Sequence, residues 1–323
     1  MRVIFVHEDQ RGYGQGGGAE TLLRSQMQAL EMRGHQTHWY WGEGRFDAVM
    51  AEQQPDVVHV STVHTQLGFG PVRWLQARRY PHVWALMDYW PFCRGRMLLK
   101  HYDEGCVAVE GICDGRCDEG PVDHRALVNG SPIVALNEYT AAIYRRNGLR
   151  CDYVLPLGVG HEYFVPAPER RVAGRMLTMS AWPSFATKGM HILRAAALDA
   201  RVPVGLITGR PREQVRDILQ TAEAFVFPST YEETWGLCLT EALSTGLACI
   251  ASNVCGPRAQ IVDGENGLLV PPRDPAALAA ALCRVAGDAA LRRRLGEAAR
   301  ASVEARMTLA HLGERLEAIY REL

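Results

Sequence analysis

Short β-branched runs alternate with stretches of helical period along almost the whole chain, and this alternation restricts the fold more than any other feature. In the first half, residues 3–7, 37–41, 57–60, 83–87, 133–136 and 153–155 read as strands, with helical segments such as 19–32 and 139–146 between them. These strands are apolar throughout rather than alternately apolar and polar, so they belong to a parallel sheet covered on both faces. Residues 165–171 are rich in proline and charge and read as a linker. Strands resume at 176–180, 204–208, 224–227, 248–251 and 268–270. After Pro275 the pattern is helical only, in 276–286, 291–305 and 309–323, and the Arg292-Arg293-Arg294 run reads as a solvated helix face. The expectation is two doubly wound, Rossmann-like α/β domains facing across a cleft, residues 1–168 and 169–308, with the last helix (309–323) able to pack back on the first. A chain of 323 residues is long enough for both.

A net charge of −1 gives no bulk attraction to nucleic acid or anionic membrane, so any phosphate binding must be local. No uncharged apolar run approaches the ~18–20 residues of a membrane span. The opening apolar run, Val3-Ile4-Phe5-Val6, is shorter than the roughly 7–15 residues of a signal-peptide core. The expected location is the cytoplasm, with the nine cysteines reduced.

Gly12-Tyr13-Gly14-Gln15-Gly16-Gly17-Gly18 follows the first strand and opens the first helix. Glycines let the backbone approach a pyrophosphate, and the helix N-terminus offers free amides. Gly12, Gly14 and Gly17 also satisfy the dinucleotide pattern, with Glu43 at the end of the second strand. Five glycines in seven residues satisfy many patterns by chance, however, and Glu20 in the first helical turn would repel a phosphate on the helix axis. Three readings stay open: a phosphate- or sugar-facing loop, a dinucleotide site and a flexible loop.

The most informative stretch runs from Phe225 to Ala242. A buried strand ends at Pro228-Ser229, a loop follows, and a helix begins near Gly236. Glu233 falls in the loop and Glu241 one to two turns inside the helix. The amides of Thr234, Trp235 and Gly236 would point outward, ready for sugar oxygens or developing negative charge. Carboxylates eight residues apart at a strand–helix junction suit a polyol, since each accepts two hydroxyl hydrogens. The plainer alternative makes Glu233 a helix cap and Glu241 a surface residue.

The pattern Pro228-Ser229-x-x-x-Glu233-x-Trp235-Gly236-x4-Glu241-Ala242 resembles the E-x7-E motif of retaining glycosyltransferases of the GT-B fold, in particular glycosyltransferase family 4. Other pieces agree in order. Gly17-Gly18-Ala19-Glu20 resembles the family's N-terminal glycine loop, and Pro55-Asp56-Val57-Val58-His59 its third strand. Lys188-Gly189 resembles its phosphate-binding lysine, and residues 264–270 and 274–279 its closing segment. The resemblance implies a transferase for a sugar carried on a nucleoside diphosphate, UDP or GDP, with no catalytic metal. By the same implication Glu241 holds the ribose, and Glu233 with the backbone of Thr234, Trp235, Gly236 and Leu237 holds the transferred sugar. Lys188 neutralises the leaving diphosphate, and Gly17 and Gly18 face the donor. The acceptor, a small molecule or glycan, would lie near Glu20, His59, His64 and Asp88, with Asp88 beside the reacting centre. An epimerase or hydrolase on the same scaffold, or an inactive nucleotide-sugar binder, are the competing readings.

Departures from the family pattern are specific. No arginine precedes Lys188 in Ser180-Ala181-Trp182-Pro183-Ser184-Phe185-Ala186-Thr187, where the family shares the diphosphate between two cations. Arg210, Ser184 and Thr187 are candidates to compensate. The usual His-Asp after the fourth strand is Met87-Asp88, and the chain between Thr208 and Ala222 is short for the family. Separately, Cys93, Cys106, Cys113 and Cys117 fall within a glycine- and charge-rich insertion after Asp88. Four thiolates there would suit a structural Zn²⁺; free thiols, a disulfide or an iron–sulfur centre are the alternatives. The remaining cysteines sit in apolar contexts and read as small core residues.

Overall fold

The computed structural model describes residues 1–8, 18–63, 67–93, 99–100, 104–105, 123–180 and 186–323. The chain divides into two units.

In the first, β1 (Arg2–Val6), α1 (Gly18–Glu31), β2 (Gln36–Tyr40), α2 (Phe46–Gln53), β3 (Val57–Val60), α3 (Gly70–Arg78) and β4 (His82–Ala85) alternate strictly. After β4 in the chain comes a short antiparallel pair, β5 (Leu99–Lys100) and β6 (Glu104–Gly105), which groups with the second unit; the first unit continues with α4 (Arg125–Val128), β7 (Ile133–Ala135), α5 (Glu138–Arg146) and β8 (Tyr153–Val154). The six-stranded sheet has the order β2-β1-β3-β4-β7-β8 and every pairing is parallel. Val3, Ile4, Phe5 and Val6 are all buried, as continuous apolar strands require when both sheet faces are covered. Asn137 ends β7 and caps α5, its side chain accepting from the Thr140 amide at 2.9 Å.

The last helix, α12 (Leu309–Arg321), belongs to this unit and lies against α1. Gly313 permits the close approach: a Cβ there would stand 2.6 Å from the Ala29 carbonyl oxygen. Arg33 Nε donates to Glu317 at 2.7 Å beside this contact. Gly313→Ala is therefore expected to destabilise the protein by about 1–3 kcal/mol, because the overlap outweighs the roughly 1 kcal/mol that alanine gains in helix propensity. Chemical denaturation reads this directly; an unchanged or raised midpoint would refute the packing argument.

The second unit holds β9 (Met176–Met179), α6 (Met190–Ala200), β10 (Val204–Ile207), α7 (Arg212–Leu219), β11 (Ala224–Phe227), α8 (Leu237–Ser244), β12 (Ala248–Ser252), α9 (Cys255–Gln260), β13 (Leu268–Val270), α10 (Pro275–Gly287) and α11 (Ala289–Arg306). Its sheet is parallel in the order β10-β9-β11-β12-β13. Met176, Val226, Ile250 and Leu268 from the strands meet Leu193, Leu278, Leu282 and Leu295 from α6, α10 and α11 in one core. Asp274 and Asp288 cap α10 and α11 through the Ala277 and Leu291 amides. Only α7 separates β10 from β11, so β10 is left as an edge with Leu206 half exposed.

The long segment of this unit runs from Gly158 to Thr308. Its start is held by Arg300, whose Nη1 donates to the carbonyls of His161 and Phe164 at 2.8 and 2.9 Å. The Ser244 hydroxyl also donates to the Phe164 carbonyl at 2.8 Å. The segment after Leu157 is thereby tied to α8 and α11.

Candidate functional site

Lys188 closes a 3-10 turn, Ala186–Lys188, just after β9 at the edge where parallel α/β sheets bind ligands. The turn is stitched to the end of β11. Thr230 N and Ser229 Oγ donate to the Thr187 carbonyl at 2.9 and 3.3 Å, and Thr230 Oγ1 donates to the Ala186 carbonyl at 3.1 Å. Gly189 then turns the chain into α6 with φ +67, and a Cβ there would fall 1.7 Å from the Pro228 carbonyl oxygen. So fixed, Lys188 Nζ donates to Glu233 Oε2 at 2.8 Å and to the Tyr231 hydroxyl at 3.3 Å, lying 5.0 Å from the Tyr231 ring centroid. Burial would lower the ammonium's pKa, but the Glu233 and Tyr231 interactions outweigh it, and the net shift is upward. Tyr231 is shifted up as well, by burial first and the Glu233 charge second.

The loop carrying Glu233 is held by backbone and buried amide contacts. The Gly256 amide donates to the Glu233 carbonyl at 2.7 Å, and Cys255 N to Glu232 Oε2 at 3.0 Å. Trp235 Nε1 donates to Thr240 Oγ1 at 3.0 Å, which donates to Gln260 Oε1 at 2.8 Å. Gln260 Nε2 then donates back to the Trp235 carbonyl at 2.7 Å. This closed, buried ring of polar groups fixes the loop in one conformation. Gly236 enters α8 with φ +87, packed against the Phe227 ring, and Thr234 is buried in the same loop. The amides of Trp235, Gly236 and Leu237 have no hydrogen-bond acceptor among the described residues. They stand at the N-terminus of α8, the end of a helix that carries partial positive charge.

Glu241 lies inside α8 and is 7% exposed. Burial pushes its carboxyl up to about 7, against the downward pull of Arg212, whose Nη1 lies 3.4 Å from Glu241 Oε1. The half-buried Cys238 thiol is pushed up to about 12, by desolvation first and then by the Glu241 charge, and it also feels Lys188 and Glu233. Of the expected donor-site residues, Lys188 and Glu233 are in direct contact, and Glu241 lies in the helix that follows Glu233. Arg210 is exposed and makes no ion pair among the described residues; the arginine that reaches the site is Arg212. Nothing in its local sequence marks Arg212, and the same holds for Tyr231, Thr240, Gly256 and Gln260.

The first unit corrects one expectation. His59 is fully buried on β3 rather than turned toward an acceptor: its Nδ1 lies 2.8 Å from the Tyr320 hydroxyl of α12, and its ring packs 5.0 Å from Phe5. Burial, then His7, lowers its pKa to about 3, so it is a neutral core residue. Asp88 follows β4 at the carboxyl end of that strand, with Oδ1 accepting from the Trp90 amide at 2.9 Å. Gly18 opens α1, and Glu20 is buried in its first turn with neither carboxylate oxygen meeting a donor among the described residues. Gly12, Gly14, Gly17, His64, Ser184, Cys106, Cys113 and Cys117 lie outside the described residues. Cys93 is buried, and no group of three metal-ligating side chains occurs among the described residues. Cys283 is exposed rather than part of a core. No helix among the described residues is long and apolar enough to cross a membrane.

From Lys188 to residue 302, through Glu233 and Glu241, the chain matches the family Glycosyl transferases group 1. D-inositol 3-phosphate glycosyltransferase of Corynebacterium diphtheriae is 36% identical over 230 residues, covering 69% of this chain and 52% of that protein. Alpha-D-kanosaminyltransferase of Streptomyces kanamyceticus is 34% identical over 118 residues, 36% of this chain and 30% of that protein. The chain thus spans about half, or less, of the length of these curated relatives. In fold it is similar to sucrose-phosphate synthase from Thermosynechococcus elongatus, with a TM-score of 0.76 at 17% identity over 99% of this chain and 98% of that one. It is similar also to Anabaena HepE in complex with UDP and glucose, with a TM-score of 0.73 at 16% identity over 100% of both chains. The fold of the chain is GT-B.

Proposed function

We propose that this chain transfers a sugar, with retention of anomeric configuration, from a UDP- or GDP-sugar to a small-molecule or glycan acceptor in the cytoplasm. The observation that carries the reading is the Lys188–Glu233 pair of 2.8 Å beside the unpaired amides at the head of α8, with Glu241 within the same helix. A donor diphosphate would replace Glu233 as the partner of Lys188, leaving the Glu233 carboxylate to accept sugar hydroxyl hydrogens. The Trp235–Leu237 amides face the same charge. As the bond between the anomeric carbon and the phosphate oxygen breaks, negative charge grows on the diphosphate, where a fixed cation and fixed dipoles stabilise it most. The acceptor oxygen bonds to the anomeric carbon on the same face, and its proton passes to the departing phosphate oxygen. Lys188 supplies the positive charge at this step, so the reading requires no catalytic metal. That HepE of the same fold was solved with UDP and glucose supports a uridine nucleotide as the first donor to try.

The test is calorimetric titration of wild type and Lys188→Ala with UDP, GDP, CDP, dTDP and ADP, followed by nucleoside diphosphate release from the matching sugar donors. One ribonucleoside diphosphate should bind, and Lys188→Ala should weaken it at least tenfold and slow turnover by about 10²–10³, the scale of one lost transition-state stabiliser. Binding by none of the five, or equal binding by Lys188→Ala, would remove the reading. Met87, standing where the family has a histidine, supports a second reading as an inactive nucleotide-sugar binder, which predicts binding without release for every donor.

A further inference from the structure

The second unit leaves one side of its sheet unpaired. β10 bonds to β9 alone, and no strand among the described residues lies along its other side. The Ser180 amide donates to the Ile207 carbonyl at 3.1 Å, so Ile207, and Gly205 two residues before it, direct their backbone groups toward β9. By alternation the N–H and C=O groups of Val204 and Leu206 face the open side. Natural edges are ordinarily blunted by lysine, proline or a bulge. The run Val204-Gly205-Leu206-Ile207 has no such residue, and its register with β9 is unbroken. The side chains of Val204 and Leu206 share one face of the sheet. There they line, with Leu193 and Leu198 of α6, an apolar groove of about 610 Å³. Leu206 is 46% exposed and Leu198 71%, the most exposed of the large apolar side chains described.

The rim of this groove carries charge of one sign. Arg194 and Arg201 line it, and no acidic side chain does. Both arginines are exposed, and neither guanidinium makes an ion pair or hydrogen bond among the described residues. Asp199, the one acid of α6, is not part of the lining. We propose that the open edge of β10 is a docking site for an extended acidic peptide segment of a partner protein, which adds to the five-stranded sheet as a further strand. The peptide backbone bonds to Val204 and Leu206, alternate apolar side chains fill the groove, and flanking carboxylates meet Arg194 and Arg201. In strand addition the main-chain bonds supply affinity, while the pockets and charges beside the edge select the partner. A second copy of this chain is the poorer occupant, because pairing two β10 edges sets Arg194 and Arg201 of one copy against the same arginines of the other. The groove contains none of the residues assigned to the donor, so docking and sugar transfer are separable.

The probe is a labelled, end-blocked peptide, Glu-Thr-Val-Thr-Val-Thr-Glu, which sets both valines and both glutamates on one face of a strand. Its counterpart carries lysine in place of glutamate. Titrated into the full chain and read by fluorescence polarisation, the acidic peptide should saturate below about 1 mM. The lysine peptide should bind about tenfold more weakly, and the order should reverse in the double variant Arg194→Glu, Arg201→Glu, since two exposed attractions become two repulsions. Leu206→Pro removes the outward N–H without removing a bond to β9, a change that edge strands accept. With a matched melting temperature it should weaken the acidic peptide by about tenfold. Two methylated peptides repeat the backbone test without altering the protein, one blocked at the central threonine amide and one at the valine amide after it. These amides point to opposite sides of a strand, so one peptide should bind as its parent does and the other about tenfold more weakly. No saturation by the acidic peptide, equal binding of the two charge forms, or equal binding of the two methylated forms would overturn the proposal. Sedimentation of wild type as a dimer that Leu206→Pro dissociates would give the edge to a second copy and overturn it as well.

Discussion

Glu241→Gln is expected to reduce nucleoside diphosphate affinity by about 100-fold, the largest binding effect of any single change in this site. A buried carboxylate accepts both ribose hydroxyl hydrogens in charge-assisted bonds, each worth roughly 1.5–3 kcal/mol. The glutamine amide can accept at one atom only and presents donors at the other. The same carboxylate makes binding depend on pH. Burial lifts Glu241 to about 7, so wild-type affinity should rise between about pH 6 and 8 as the group ionises, whereas Glu241→Gln should be flat. In the ligand-free protein the sign reverses. A carboxyl raised from 4.5 to about 7 binds more protons folded than unfolded between those values. Its contribution to stability is full below pH 4.5 and is lost as pH rises through about 7, a change on the order of 3 kcal/mol. Denaturation midpoints at pH 5 and 8 should show this slope in wild type and lose it in Glu241→Gln. Equal nucleotide affinity in the two proteins would place the ribose elsewhere.

Gly189→Ala is expected to have the largest effect on stability, a loss of about 2–5 kcal/mol. Two costs add. An L-residue at φ +67 pays roughly 1–2 kcal/mol for the left-handed conformation. The new Cβ would also sit 1.7 Å from the Pro228 carbonyl oxygen, which is backbone and cannot swing aside, so the overlap adds about 1–3 kcal/mol through displacement of the strand end. Gly174→Ala is the control: φ is +73 there, but a Cβ meets nothing within 4 Å, so only the conformational cost of about 1–2 kcal/mol remains. Urea denaturation of both variants separates the terms. If the two midpoints fall equally, the close approach of Gly189 to Pro228 does not constrain the fold. Because Lys188 precedes Gly189, the same displacement should carry the ammonium away from Glu233, and residual folded Gly189→Ala should bind nucleotide poorly.

The local code for strands and helices was largely legible, because period and burial are properties of neighbouring residues. Runs such as 3–6 and 224–227 are apolar at every position, and only strands covered on both faces need that. Asn137, Asp274 and Asp288 each stand where a helix starts and do cap it. Glu233, Glu241 and Lys188 could be singled out because each sits at a strand–helix junction within a recognisable pattern. What joins them could not: Lys188 and Glu233 are 45 residues apart, and their contact depends on the turn at Ala186–Lys188 being sewn to the end of β11. The Trp235–Thr240–Gln260 ring likewise depends on α9 bringing Gln260 to Thr240 and the Trp235 carbonyl.

His59 shows the limit most plainly. A histidine at the end of a predicted strand reads equally well as a ligand or a core group, and the choice was made by α12, whose Tyr320 is 261 residues away. Arg212 shows the converse, since an arginine in a short, charged helix reads as solvated surface until Phe164 and Glu241 are brought beneath it. By itself the sequence determined two parallel α/β sheets and the chemistry of a carboxylate pair with one lysine. Tertiary structure alone decided the burial that lifts Glu241 and the arginine that faces it. Those outcomes rest on desolvation and on contacts between residues far apart in the chain, and neither is encoded in the period of any one segment.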